Sequence, residues 1–95
     1  MTTVRTQDRL LPASVMTFSP NPTAGEMTVQ IDLKNATQAR MTITDLTGKI
    51  MYLRNFDALQ NESIQMDLGE YPNGTYLVRL VTENGARTWK VVVQR

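Results

Sequence analysis

The chain has 95 residues, 41% of them hydrophobic, with ten basic and nine acidic side chains and a net charge of +1. That is enough for one domain with a modest core, and too evenly balanced for a general nucleic-acid binder. With no cysteine and no histidine, it has no disulfide framework, no thiolate metal site, and neither the commonest general base nor the commonest zinc ligand.

Residues 1–14 are polar and weakly patterned and read as a linker or tail, with a folded domain expected over 15–95. A first strand is expected at Val15–Ser19, stopped by Pro20-Asn21-Pro22-Thr23-Ala24-Gly25, where two prolines fix φ and cannot donate to a ladder. Met27–Leu33 alternates apolar and polar residues without a break, so its odd positions should face a core. Lys34–Gln38 is the next expected turn, and Ala39–Thr44 the next strand, with Met41 and Ile43 inward. Asp45-Leu46-Thr47-Gly48 predicts a tight turn, because an Asp carboxylate can accept from backbone amides two residues on and Gly48 can take φ > 0. Lys49–Phe56 alternates less cleanly, which suits an edge strand or a bulge. Ser63–Leu68 alternates again and is broken by Gly69–Gly74.

The last two strands, Thr75–Thr82 and Ala86–Gln94, flank Glu83-Asn84-Gly85. Asn-Gly between two β runs is a strong hairpin signal, and a type I′ turn would place both Asn84 and Gly85 at φ > 0. Tyr76, Val78 and Leu80 with Trp89, Val91 and Val93 make one apolar face, while Arg79 and Lys90 point the other way. No 3.6-residue apolar period persists, and turn signals recur every 8–12 residues, the signature of an all-β sandwich or small barrel.

No constellation carries chemistry. Asp45-Leu46-Thr47-Gly48 has its Gly three residues after the Asp, where an aspartic protease loop needs it two after, and there is no second copy to share a proton. Asp32, Asp45, Asp57 and Asp67 are scattered over strand ends. Turn carboxylates and carbonyls suit calcium in principle, but no D-x-[DN]-x-[DN]-G loop occurs. No cofactor is expected. The apolar runs are too short for a membrane-spanning segment, which needs about 18 residues. Met1–Asp8 lacks the basic-then-apolar pattern of a signal peptide, so any such signal is expected outside this chain. Charge is uneven along the chain: residues 14–70 hold four Lys/Arg and seven Asp/Glu, whereas residues 71–95 hold four Lys/Arg and one Glu. Solvated sheet faces of no consequence are the first reading of such an asymmetry, and docking on an acidic partner the second.

Four blocks in order carry a family resemblance. Phe18-Ser19-Pro20-Asn21-Pro22-Thr23-Ala24-Gly25-Glu26 resembles the Y-P-N-P-T-x-G-E opening of the C-terminal sorting domains, type A, used by the type IX (Por) secretion system of Bacteroidetes. Ala39–Lys49 is similar to their second block, a strand ending in D-x-x-G-[KR], and Tyr71–Leu80 to the third, [LY]-P-x-G-x-Y-[LV]-[LV]-[RK]. Arg87–Arg95 resembles the terminal strand, a lysine followed by an apolar run and a short basic end.

The resemblance implies an Ig-like, seven-stranded antiparallel β-sandwich that is not an enzyme. It would follow an N-terminal cargo domain and carry it through the periplasm and across the outer membrane. Implied partners are the outer-membrane translocon with its shuttle proteins and a sortase-like peptidase; the peptidase would cut within or just before residues 1–14 and leave the cargo on the cell surface or secreted. Recognition would fall on Gly74–Arg95, with Gly74, Tyr76, Val78, Lys90, Val91, Val92, Val93, Gln94 and Arg95 as the candidate residues. Pro20, Asn21, Pro22, Gly25, Asp45, Gly48, Asn84 and Gly85 would be structural turn positions. If the terminal strand lies at a sheet border, its open backbone edge could be augmented by a partner strand. The competing reading is a non-catalytic Ig-like binding or spacer module of a surface protein.

Overall fold

Nearly every alternating run becomes a strand, but two of the expected interruptions do not interrupt. The computed structural model describes residues 9–95 and holds five strands: β1 Met16–Ser19, β2 Glu26–Thr44, β3 Ile50–Asp67, β4 Gly74–Thr82 and β5 Gly85–Val93. One 3-10 turn, Ala13–Val15, precedes β1. The all-β class is as expected. The seven-stranded sandwich is not: the expected second and third strands are the two ends of β2, and the expected fourth and fifth are the two ends of β3.

The reason lies in Lys34–Gln38, which contains no Gly or Pro to reverse the chain. The odd residues of β2 stay on the buried side from Met27 to Ile43, interrupted only by exposed Asn35. Asp32 pairs with Asn61 and Thr37 with Leu59, so residues 33–36 face Gln60 alone. The surplus bulges outward, bending the strand instead of ending it, and Gln60 Nε2 donates to the Lys34 carbonyl at 2.9 Å across the bend. The irregular texture of Lys49–Phe56 is explained as expected: β3 pairs with β2 alone, and Met51 is left unmatched between Thr44↔Ile50 and Ile43↔Tyr52.

β2 is the spine of a curled antiparallel sheet. β3 runs along one side of it, while β1 takes residues 28–31 on the other side and β4 takes residues 39–44, with β5 outside β4. One face of this sheet supplies a single core in which Met27, Val29, Ile31, Met41, Ile43, Val78, Leu80, Val91 and Val93 are almost fully buried. Each such side chain contributes roughly 1.5–3 kcal/mol relative to exposure. Leu59 joins them at 1% exposure, although it lies in the stretch 57–62 to which the pattern assigned no strand. Leu11, within the expected tail, is buried too; residues 1–8 of that tail lie outside the described residues.

The β2–β3 turn forms as its sequence demands. Asp45 Oδ1 accepts from the Thr47 amide at 2.9 Å, the Thr47 hydroxyl at 2.6 Å and the Lys49 amide at 3.0 Å, and Gly48 has φ 93°. These bonds, the Thr47 hydroxyl first, hold the Asp45 carboxyl below its ordinary pKa of 3.8. A depressed folded-state pKa means that the turn's contribution is complete above the unfolded value and is lost as pH falls through the folded one. Asp45→Asn is therefore expected to lower the thermal midpoint near pH 6, with the gap to the parent narrowing as pH falls below the ordinary carboxyl value of 3.8. Thermal melts of both proteins across that range check this, and a gap that does not narrow would exclude the carboxylate as its source.

The β4–β5 hairpin forms where expected, with a different turn. Thr82 pairs with Gly85, so the loop residues are Glu83 and Asn84. Among the described residues no non-glycine has positive φ, which rules out type I′ with Asn84 at a central position. Buried Thr82 organises the turn instead: its hydroxyl accepts from the Asn84 amide at 3.0 Å and donates to the Gly85 carbonyl at 3.0 Å. Gly85 is required by space and by its φ of 151°, since a Cβ there would lie 2.9 Å from the Arg9 carbonyl oxygen.

Candidate functional site

The C-terminal strand lies at the border of the sheet, as β5 ends the order β1-β2-β4-β5. A border strand normally turns the N–H and C=O of alternate residues to water. In this chain residues 9–23 occupy most of them. The Ala86 amide donates to the Arg9 carbonyl at 2.9 Å, and its carbonyl accepts from the Leu11 amide at 3.1 Å. Thr23 does the equivalent at the far end, donating to the Val92 carbonyl at 2.9 Å and accepting from the Gln94 amide at 2.8 Å.

Between these anchors, Asn21 imitates a strand with its side chain. Its Nδ2 donates to the Lys90 carbonyl at 3.2 Å and its Oδ1 accepts from the Val92 amide at 3.1 Å. A parallel neighbour bonds the two residues flanking its partner: the Thr23 backbone does so around Val93, and the Asn21 amide does so around Val91. Pro20 and Pro22 on either side have no N–H to offer, which leaves the Asn21 side chain as the polar group for this stretch of edge. The Thr23 hydroxyl, deeply buried, is satisfied by accepting from the Gly25 amide at 3.0 Å and donating to the Glu26 carbonyl at 2.6 Å. Gly25 lies against Gly69, where an added Cβ would come within 3.3 Å of the Gly69 Cα, and its carbonyl accepts from the Leu68 amide at 2.8 Å. Trp89 faces the same strap: its indole N–H donates to the Ala13 carbonyl at 3.1 Å, and its ring meets Phe18 edge-on at 6.2 Å. The open augmentation edge expected at the terminal strand is therefore already filled at Ala86 and from Lys90 to Gln94.

Arg95 likewise differs from a free basic end. Its Nη2 reaches the carbonyls of Leu68, Gly69 and Tyr71 at 2.8, 2.7 and 2.7 Å. Its Nη1 and its main-chain amide both donate to Asn73 Oδ1, at 3.2 and 3.1 Å. The guanidinium thus gathers the carbonyls of the loop between β3 and β4 and ties them to the end of the chain. Behind that loop the rings of Tyr71 and Tyr76 pack with centroids 5.2 Å apart, and burial raises the Tyr71 pKa.

Of the candidate recognition residues, Tyr76, Val78, Val91 and Val93 are buried in the core and Val92 is half-buried. Gly74, Lys90, Gln94 and Arg95 are at the surface. Two functions of residues were not visible in the sequence: Asn21 as a strand substitute and Arg95 as a clasp. The prolines around Asn21 are the signal that could have revealed the first. No group of three acidic side chains converges on a common point among the described residues.

The blocks centred on 18–26, 39–49, 71–80 and 87–95 are joined through these contacts. The second block pairs with β4, β4 pairs with β5, the first block covers the β5 edge, and Arg95 holds the loop that opens the third. Against known proteins, the family model described as the secretion system C-terminal sorting domain matches residues 17–94. No curated protein and no solved structure matches the chain.

Proposed function

Because the chain belongs to the family of C-terminal sorting domains that mark proteins for type IX secretion, we propose that it carries a covalently attached N-terminal cargo across the outer membrane as a folded signal and is then removed. The family is one of sorting signals and not of enzymes, which points to export to the outer membrane, the cell surface or the medium. The observation that carries the reading is the match over residues 17–94. It is supported by the way the four motif blocks close around the terminal strand.

In this reading the outer-membrane translocon and its shuttle proteins meet the domain in the periplasm. They contact the β4–β5 hairpin and the clasped C-terminus, with Gly74, Lys90, Gln94 and Arg95 at the point of contact. Tyr76, Val78, Val91 and Val93 act indirectly by holding the hairpin flat, and Val92 lies between the two roles. A sortase-like peptidase cuts within or just before residues 1–14, a stretch whose residues 9–14 belong to the strap that covers β5.

The test is a fusion. A reporter with an N-terminal signal peptide is expressed with and without this chain at its C-terminus, in a Bacteroidetes host and in the same host lacking the type IX outer-membrane translocon. The expected result is surface or extracellular reporter only when both the chain and the translocon are present. Export that is independent of the translocon would overturn the proposal.

A further inference from the structure

The two halves of the sheet present solvent faces of opposite chemistry. On the half built from β1, the first part of β2 and the last part of β3, the outward pairs are Glu26↔Asp67, Thr28↔Gln65, Gln30↔Ser63 and Asp32↔Asn61. These four pairs hold three carboxylates, no cation and no aliphatic side chain. On the other half the outward residues fall into three rows across β3, β2, β4 and β5. They are Ile50–Thr44–Leu77–Lys90, Leu53–Thr42–Arg79–Thr88 and Asn55–Arg40–Val81–Ala86. These three rows hold three cations and no carboxylate.

The cations are not scattered. Thr42 and Thr88 are the direct partners of Arg79, so Arg40 and Lys90 are its two diagonal neighbours, one on each flanking strand. Diagonal neighbours lie about 7–8 Å apart, so Lys90, Arg79 and Arg40 form one stripe across three strands. All three are exposed. Their hydrogen-bond partners are neutral: Arg79 Nη1 donates to Thr88 Oγ1 at 3.1 Å and Arg40 Nε to Asn55 Oδ1 at 3.0 Å. These bonds aim the guanidinium groups without cancelling their charge. Aliphatic side chains flank the stripe, with Leu77 and Val81 half-buried and Ile50 and Leu53 exposed by 56% and 46%.

From this arrangement we infer that the outer face of β4, β5 and residues 39–44 of β2 docks an acidic, aliphatic-centred surface of a protein in the export machinery. The inference rests on the proposed function and names the surface used. A second copy of the chain matches it poorly, because the acidic face of the domain has no aliphatic side chain to cover Leu77, Val81 and Leu53. That face also places Glu26 and Asp67 side by side in one row and Asp32 at the other end, which does not fit a diagonal stripe. Stacking cationic face on acidic face would in addition make an open, non-closing array.

The experiment uses the reporter fusion with full-length domains. Arg40→Glu/Arg79→Glu/Lys90→Glu reverses the stripe and Arg40→Gln/Arg79→Gln/Lys90→Gln neutralises it. Circular dichroism and thermal melts establish that each is folded, and the neutral set serves if the reversed one is not. Reversal is expected to lower exported reporter about tenfold or more, and neutralisation to have a smaller effect in the same direction, since complementary surface charge acts chiefly on encounter and orientation. Reversing the other face, Glu26→Lys/Asp67→Lys, is expected to leave export unchanged. Unimpaired export by a folded stripe variant would overturn the inference while leaving the sorting function intact. Loss of export on removing the whole chain, measured alongside, tests that function separately. Two binding results would also overturn it. One is stripe-dependent binding of the purified domain to vesicles of phosphatidylglycerol and phosphatidylethanolamine, which would assign the face to lipid. The other is stripe-dependent self-association in sedimentation, which would assign it to a second copy.

Discussion

Replacing Leu80 with Ala is expected to lower the unfolding free energy by about 2–5 kcal/mol, the range for truncating a fully buried Leu. Leu80 is 0% exposed, pairs with Met41 on β2 and with Arg87 on β5, and lies on the strand that joins the C-terminal hairpin to the spine of the sheet. A cavity there has strand on both sides, so the surroundings cannot easily collapse into it. Domains in general hold about 5–15 kcal/mol, and one of 95 residues has no large reserve. Urea titration should show the midpoint falling with an unchanged slope. Leu53→Ala is the matched control, because Leu53 is nearly half exposed on the opposite face of the sheet and surface truncations usually stay within about 0.5 kcal/mol. Equal losses from the two would mean that burial does not distinguish Leu80 from Leu53, and a larger loss from Leu53→Ala would mean that the sheet buries its opposite face.

Alternation was the most legible feature. It placed Met27, Val29, Ile31, Met41, Ile43, Val78, Leu80, Val91 and Val93 in the core, where they are found. Reading each polar or irregular stretch as a break was less sound. Lys34–Gln38 was expected to reverse the chain, yet β3 is long enough to pair with both halves of β2, so the ladder bridges a bulge that local chemistry alone would leave as a loop. Leu59 was invisible for the same reason, since its partner Thr37 sits inside that expected turn. Asp45 and Gly48 were legible because the turn is closed by neighbours within four residues. Gly85, expected inside the turn, instead opens β5, and part of what requires glycine there is the Arg9 carbonyl, 76 positions away in sequence.

The candidate site shows the same division. Sequence brought together the residues of the terminal hairpin but could not separate those that pack from those that face solvent. Val91 and Val93 are core, and Lys90 is surface. Nor could it show which strand edge is filled by a segment some 70 residues earlier: the flanking prolines single out the Asn21 side chain, but neither Asn21 nor Thr23 marks β5 as its partner. Filling that edge has a physical logic. An apolar strand with an open border is a template for unwanted pairing, and a signal that must stay soluble is safer with the border occupied. Strand addition has no free backbone to use at the positions held by Asn21 and Thr23, and the recognition proposed above accordingly uses a face of the sheet and the C-terminal clasp.

Arg95→Ala is expected to destabilise the domain by about 1–3 kcal/mol, the scale of hydrogen bonds to a charged group, reduced by whatever solvent screening its exposure brings. The loss should be local before it is global. Without the guanidinium, the carbonyls of Leu68, Gly69 and Tyr71 lose a common donor and the loop from Leu68 to Asn73 is no longer tied to the chain end. Amide hydrogen exchange should therefore rise at Tyr71 and Arg95, while Val78 and Leu80 keep their protection. Arg95→Lys separates geometry from charge. An ammonium retains the charge, but as a single compact donor it cannot reproduce a planar fork that meets three carbonyls and Asn73 at once. If Arg95 acts by shaping the loop, the Lys variant resembles Ala both in exchange and in reporter export. If export instead survives in Lys and fails in Ala, while exchange rises in both, the machinery reads the terminal charge itself. Wild-type exchange in the Ala variant would show that the clasp contributes nothing to the loop.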